Sequence, residues 1–291
     1  MKLISMPSNV EEIKKSLDYC DGYLIGIDGL SVNINLCVDI GQIKDIQALI
    51  GERELFISLN KNIHNEDLNK LQNVMNELDD CHIKGVFYYD VSIVNIYNKG
   101  AFNYELIWAS EHATTNYNTI NYWQKFGIKG CCVSGDITIE EVYEIRRNTT
   151  CCLFLPIFGY QPMFNSRRHI VKNYLDFFSL DDNSHINYME KENKIYPIVD
   201  NKLGTTVYSN YILNGLCEFN DLKDNNIDYI LFNGFNIPIN TFITVLRLAK
   251  NINKDNCLRT FNEINQLLEN CSLGFLYQET VARVKKNDKK D

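Results

Sequence analysis

The sequence predicts an α/β protein of the TIM type, a (β/α)8 barrel with a small β-rich insertion between its seventh and eighth strands. Three observations lead there. Short apolar runs alternate with amphipathic stretches along most of the chain. The apolar runs are near-continuous rather than alternating, as a parallel sheet covered on both faces requires. Eight such units in 291 residues suit a closed barrel better than an open sheet.

Each element has a local cause. KLISMP is the first apolar strand, and Ser8 with Glu11 makes a capping box for the helix NVEEIKKSL, where Val10, Ile13 and Leu17 share one face. GYLIGIDGLSV and IGQIKDIQALI form the second strand and helix, ELFISLN and NEDLNKLQNVMNEL the third, IKGVFYYD and SIVNIYNKG the fourth. YELIWAS precedes the helix TINYWQKFG. IKGCCVSG precedes TIEEVYEIRR, whose Thr138 and Glu141 make a second capping box. CCLFLPIFG is the seventh strand, and DYILFNGF, followed by the helix INTFITVLRLAKNI, is the eighth. Between them the order breaks, from about residue 161 to 224. This insertion contains INYMEKENKIYPIVDNKLGTTVYSN, which alternates and turns like a small antiparallel hairpin set. Residues 1–291 are expected to form a single barrel domain.

Composition narrows the function. The chain is 45% hydrophobic and 23% charged, enough for one large core. A net charge of -8 opposes nucleic-acid binding by bulk charge and leaves only a local basic patch for it. MKLISMPSNVEEIKK lacks a targeting pattern, and no apolar stretch is long enough for a membrane span, so a cytoplasmic protein is expected. The ten cysteines include no C-x-x-C pair. Cys131–Cys132 and Cys151–Cys152 lie in apolar runs, as small buried hydrophobes do. A metal site would need cysteines gathered from distant positions.

A barrel of this kind works at the C-terminal ends of its strands. The polar residues expected there are Asn60, Asp90, Ser110 with Glu111 and His112, Ser134 with Asp136, the run Gln161 to His169, and Asn233. Lys129 and Asp228, at strand starts, read as structural. Arg167 and Arg168 follow the seventh strand beside Ser166, where two guanidiniums can fork onto a phosphate or carboxylate. The alternative is that Ser166 caps a helix RRHIVKNYL and the arginines lie on its solvated side, opposing the helix dipole. His112, Asp136 and His169 are candidates for acid–base work. Their plainer alternatives are an exposed loop histidine, a helix-stabilising aspartate and a histidine packed at the rim. Asn60 and Asn116 are candidate substrate contacts, although Asn116 equally suits a helix cap. No G-x-S-x-G, H-E-x-x-H or Walker loop is present.

Four stretches together carry a resemblance: GYLIGIDGLSV, TTNYNTINYWQKFGIKGCCVSGDITIEEVYEI, FGYQPMFNSRRHIVKNY and GFLYQETVARVK. In order, and over nearly the whole chain, they resemble the collagenase-like peptidase family U32. The resemblance implies a barrel-like domain and a peptidase acting on peptides by an undefined mechanism. In that reading Asp136, His112 or His169 is the acid or base, and Arg167 and Arg168 hold a carboxylate or oxyanion. The family also has members in RNA hydroxylation and quinone biosynthesis that carry an iron–sulfur cluster on four cysteines. Against their signature, Gly159 and Ser166 match, but Pro162 and His169 stand where two cysteines are found, and Arg167 stands for glycine. Asp136 stands where the family has glutamate. No cluster of the family type is expected here. The alternative to a peptidase is therefore a non-proteolytic binding or accessory protein related to that branch, working without its cluster. It would hold an anionic small molecule, or a partner in nucleic-acid modification. A paralogous barrel subunit is a further candidate partner, with Tyr188, Tyr196, Tyr208 and Tyr211 as the exposed aromatics of an interface.

Overall fold

The computed structural model describes residues 1–181 and 184–278. The tail from residue 279, with the end of GFLYQETVARVK, lies outside the described residues. In chain order the first half contains β1 (Lys2–Met6), α1 (Val10–Ser16), β2 (Gly22–Ile27), β3 (Cys37–Val38), α2 (Ile43–Ile50), β4 (Glu54–Leu59), α3 (Leu68–Asp79), β5 (Gly85–Tyr88), α4 (Val91–Lys99), β6 (Glu105–Trp108) and α5 (Tyr117–Gln124). There follow β7 (Gly130–Cys132), α6 (Ile139–Arg147), β8 (Cys152–Ser166), α7 (Ile170–Phe178), β9 (Asn187–Lys191), β10 (Lys194–Asn201) and β11 (Gly204–Asn214). The chain then continues through α8 (Phe219–Asp224), β12 (Tyr229–Asn233), α9 (Ile239–Lys250), α10 (Cys257–Leu267) and β13 (Cys271–Ser272).

Eight strands close a parallel barrel. β12 pairs with β1 on one side and with β8 on the other, and β1, β2, β4, β5, β6, β7 and β8 follow one another around the ring. The lumen is filled by Ile4, Leu24, Phe56, Phe87, Ile107, Phe154, Tyr229 and Leu231. Phe154 and Tyr229 stack at 4.2 Å, and the Phe56 ring meets both edge-on, at 5.3 and 5.6 Å. This aromatic plug seals the interior, so the barrel is a packed core rather than a pore. On the outside, Tyr23, Ile25, Ile57 and Val86 pack against the apolar stripes of the helices, such as Ile13, Ile46, Leu71 and Leu78. Asp228, at the start of β12, is structural: it pairs with Arg146 at 2.9 Å and accepts the Leu153 amide.

The capping boxes differ in outcome. Thr138 and Glu141 cap α6 reciprocally, as the spacing predicts. At α1 the cap sits one residue later, on Asn9, and no reciprocal box forms. Asn9 accepts the Glu12 amide at 3.0 Å, and Glu12 accepts the Ser8 amide at 2.6 Å. Asn9 takes the extended cap conformation, while the Ser8 hydroxyl donates to Gly234 O across the chain. All ten cysteines are unpaired, five of them buried. No helix among the described residues is long and apolar enough to cross a membrane.

The largest departure from expectation is β8. The sequence suggests a strand ending at Gly159, then a loop or a helix capped by Ser166. Instead the strand runs on to Ser166. Its first half pairs with β7 and β12; its second half leaves the barrel and pairs antiparallel with β11, from Phe158↔Asn214 to Ser166↔Thr205. β9, β10 and β11 complete an antiparallel sheet continuous with the barrel, with α7 beside it. α8 then returns the chain to β12. The insertion's tyrosines do not form one exposed set. Tyr188 is exposed, but Tyr208 is only 3% exposed and stacks on Phe235 at 3.8 Å, because its position on β11 faces the barrel. Tyr196 and Tyr211 are half-buried.

The change of partners happens at Gly159, whose φ is +104°. A Cβ there would drive into the backbone carbonyl of Asn233 at the end of β12. Both the backbone angle and the contact demand glycine. Gly159→Ala is expected to destabilise the protein by about 2 kcal/mol or more, read as a lower midpoint in urea unfolding. Gly41→Ala, where a Cβ meets nothing, is expected to leave that midpoint in place.

Candidate functional site at the barrel mouth

A cavity of about 930 Å³ opens at the C-terminal ends of the strands. Its floor is the top of the lumen, Leu24, Phe87 and Leu231. Its walls come from the segments after β6 and β7 and from β8 beyond Pro156. The rim is rich in carboxamides: Asn33, Asn60, Gln161, Asn210, Asn233 and Gln278. Several of these also hold the mouth together. Asn60 accepts the Val32 amide and donates to the Val32 carbonyl, both at 2.9 Å, pinning the loop after β2. Asn233 accepts from Asn35 at 2.8 Å and donates to Tyr160 O at 2.9 Å.

Two ionisable constellations face this cavity. The first is His112 with Asp136, Nδ1 to Oδ2 at 2.7 Å, joining the segment after β6 to the segment after β7. The carboxylate fixes the ring so that Nε2 is the nitrogen left for other partners. The second is Glu111. Asn33 donates to its Oε1 at 2.5 Å, and the Thr206 hydroxyl donates to Asn33 Oδ1 at 2.6 Å. Burial pushes the Glu111 carboxyl above its ordinary range, against the opposing pull of the Asn33 hydrogen bond and the nearby His112.

A second, more polar groove of about 860 Å³ adjoins the cavity, sharing Asn60, Ser110, Glu111, His112 and Met163 with it. Lys61, Arg167, His169 and Lys202 line it, with the exposed rings of Tyr89 and Phe164. Lys61 is paired with Asp67 at 2.8 Å and Lys202 with Asp28 at 2.5 Å. Arg167 has no side-chain partner among the described residues, so its charge is the uncompensated one in the groove.

The sequence candidates therefore separate. His112, Asp136 and Asn60 line the cavity; Arg167 and His169 line the groove. His169 is bound to Asp200 at 2.8 Å, and the other Asp200 oxygen accepts the amides of Val171 and Lys172 at 3.1 Å. That arrangement caps the start of α7 with Asp200, not with Ser166. The Ser166 hydroxyl accepts the Arg168 amide in a local turn. Arg168 lines neither space, and Asn116 is the cap of α5, accepting the Thr119 amide. The sequence marks Glu111 as a strand-end carboxylate next to His112, and marks neither Asn33 nor Thr206. Asn33 has φ +58°, a conformation asparagine tolerates, but nothing in GLSVNIN marks it as a partner of Glu111.

The two positions at which the cluster-bearing members of the family have cysteines lie in different spaces here. Pro162 lines the cavity while His169 lies in the groove bound to Asp200. Cys132 and Cys271 reach the cavity, and burial pushes their thiols up to about 12 and about 11. Among the described residues no three His, Cys, Asp or Glu side chains converge as a metal site.

Comparison with known proteins gives the chain its relatives. The family model described as peptidase family U32 matches residues 31–280. The tRNA hydroxylation protein P2 of Bacillus subtilis (strain 168) is 21% identical over 250 residues, covering 78% of this chain and 81% of that protein. The tRNA hydroxylation protein P1 of the same organism is 19% identical over 180 residues, covering 60% of this chain and 42% of that protein. Among solved structures, a dihydrodipicolinate synthase family protein from Coccidioides immitis superposes with a TM-score of 0.50 at 7% identity. That match covers 90% of this chain and 76% of the other, and shares the fold alone. The chain belongs to peptidase family U32.

Proposed function

We propose that this member of peptidase family U32 is a non-proteolytic protein of RNA modification, binding a single-stranded RNA segment with one base at the mouth cavity and the backbone along the groove. The observation that carries the reading is the junction of the two spaces. A cavity with an apolar floor and a carboxamide rim opens onto a groove holding an uncompensated arginine and two exposed aromatic rings. Carboxamides match base edges, aromatic faces stack unpaired bases, and arginine suits phosphate. The likeness to two proteins named for tRNA hydroxylation supports the same reading. A chain of net charge -8 binds through such a local site or not at all.

Hydrolysis of peptides is the second reading, favoured by the His112–Asp136 pair, a base held by its orienting carboxylate at 2.7 Å. Fluorescence anisotropy with a labelled single-stranded RNA, beside a peptide-turnover assay, separates the two. RNA binding is expected, with Arg167→Ala weakening it and lowering the salt slope by about one. Peptide turnover abolished by His112→Ala, without RNA binding, would reverse the choice.

On this reading the protein works without a family-type cluster. Iron and acid-labile sulfide in anaerobically purified protein are expected to be far below stoichiometric; one cluster per chain would overturn it.

A paralogous barrel subunit fits the outer face of the insertion. α7, which packs beside β10 and β11, buries none of its residues and exposes Tyr174, Phe178 and Phe177, the last 80% exposed, while the edge strand β9 exposes Tyr188 and Met189. Light scattering on the protein mixed with a family paralogue is expected to give a heterodimer that Phe177→Ser weakens. A mixture that stays monomeric excludes the partner.

A further inference from the structure

Glu111 stands apart from the other carboxylates around the mouth. Asp136 is paired with His112, Asp67 with Lys61, Asp28 with Lys202 and Asp200 with His169. Glu111 has no ion pair among the described residues. Its one hydrogen bond arrives at Oε1 from Asn33, and Oε2 carries none. The titratable groups around it are His112, Cys132 and Tyr208. Burial holds the Cys132 thiol and the Tyr208 phenol in their neutral forms, pushing the thiol up to about 12 and the phenol above its ordinary range. His112 is already engaged by Asp136. The cations that share its two spaces are Lys61 and Lys202, each paired with an aspartate, and Lys194 and Arg167, which hold no ion pair among the described residues; none of the four is among the charges that act on Glu111.

The hydrogen-bond directions also place the proton. The Thr206 hydroxyl donates to Asn33 Oδ1, which turns Asn33 Nδ2 onto Glu111 Oε1. Oε1 is thereby an acceptor, and a proton on the carboxyl belongs on Oε2. Glu111 lines both the cavity and the groove, so the residue stands where the two spaces join.

We propose that Glu111 enters the site as the neutral acid and donates a hydrogen bond from Oε2 to an acceptor on the bound base, a ring carbonyl or ring nitrogen, with Asn33 and Thr206 positioning it. The inference rests on the RNA reading above and names the group that meets the base. A neutral donor reads a base acceptor without placing an uncompensated charge against a phosphate backbone. The sign follows from the carboxyl. Its acid form is complete below the usual carboxylate range and is lost as pH rises through the raised value of Glu111 in the folded protein.

The test is the affinity for a labelled single-stranded RNA across a pH series, for the wild type, Glu111→Gln, Glu111→Ala and Asn33→Gly, with thermal melts to show that each variant is folded. Wild-type affinity is expected to fall as pH rises through the titration of Glu111. Glu111→Gln keeps a donor and loses that part of the pH dependence, whereas Glu111→Ala binds about tenfold more weakly at low pH. Asn33→Gly accepts the positive φ and removes the hydrogen bond that favours the carboxylate, so the fall in affinity moves to higher pH. Affinity that rises with pH and collapses in Glu111→Gln would show that the carboxylate is the binding form and overturn the proposal. RNA binding indifferent to pH and to all three substitutions overturns it while leaving the RNA reading intact. No RNA binding by the wild type at any pH overturns both.

Discussion

β8 satisfies its backbone in two sheets, and the mouth takes its shape from that division. Up to Phe158 its amides and carbonyls belong to the barrel, between β7 and β12; beyond Gly159 they belong to β11. Buried backbone groups must be paired somewhere, and a long segment above a barrel normally meets that demand as a loop over water. Here a second ladder meets it. The result is a stiff wall that carries Gln161, Pro162 and Met163 over the cavity and ends near Arg167 in the groove. The insertion is tied back at several points. Lys202 reaches Asp28, Thr206 reaches Asn33, and Tyr208 stacks on Phe235.

The barrel strands are legible in the sequence because burial on both faces leaves a continuous apolar run, a signal with few rivals. Runs such as ELFISL and YILFN appear as strands almost to the residue. Cap residues are legible only to about one position, since serine and asparagine compete for the same amide, as at Ser8 and Asn9. The upper half of β8 is not legible. QPMFNS has the composition of a loop, and what makes it a strand is a partner on β11, about forty residues away in sequence.

The site divides along the same line. The positions of His112, Asp136 and Asn60 follow from strand ends in a barrel, but the 2.7 Å contact between His112 and Asp136 depends on two loops meeting. The Thr206–Asn33–Glu111 chain joins three distant segments and leaves no local trace. Charge behaves similarly. A count of lysines and arginines near the mouth overstates its positive character, because Lys61 and Lys202 are each neutralised by an aspartate. What remains is local, Arg167 in the groove and Lys194 at the cavity, and short-ranged in salt.

The ladder above the barrel is built from main chain, and that has a consequence for descent. A loop would depend on its own side chains to keep its shape, so altering them would alter the shape as well. A paired strand keeps its path whatever it displays. Pro162 illustrates the freedom: it sits opposite Tyr208, where the pairing register slips on both sides, a place that forgives a residue with no amide proton to give. Mutation can therefore change what the mouth does while its architecture is inherited unaltered. Two proteins that share this frame need share none of its reagents.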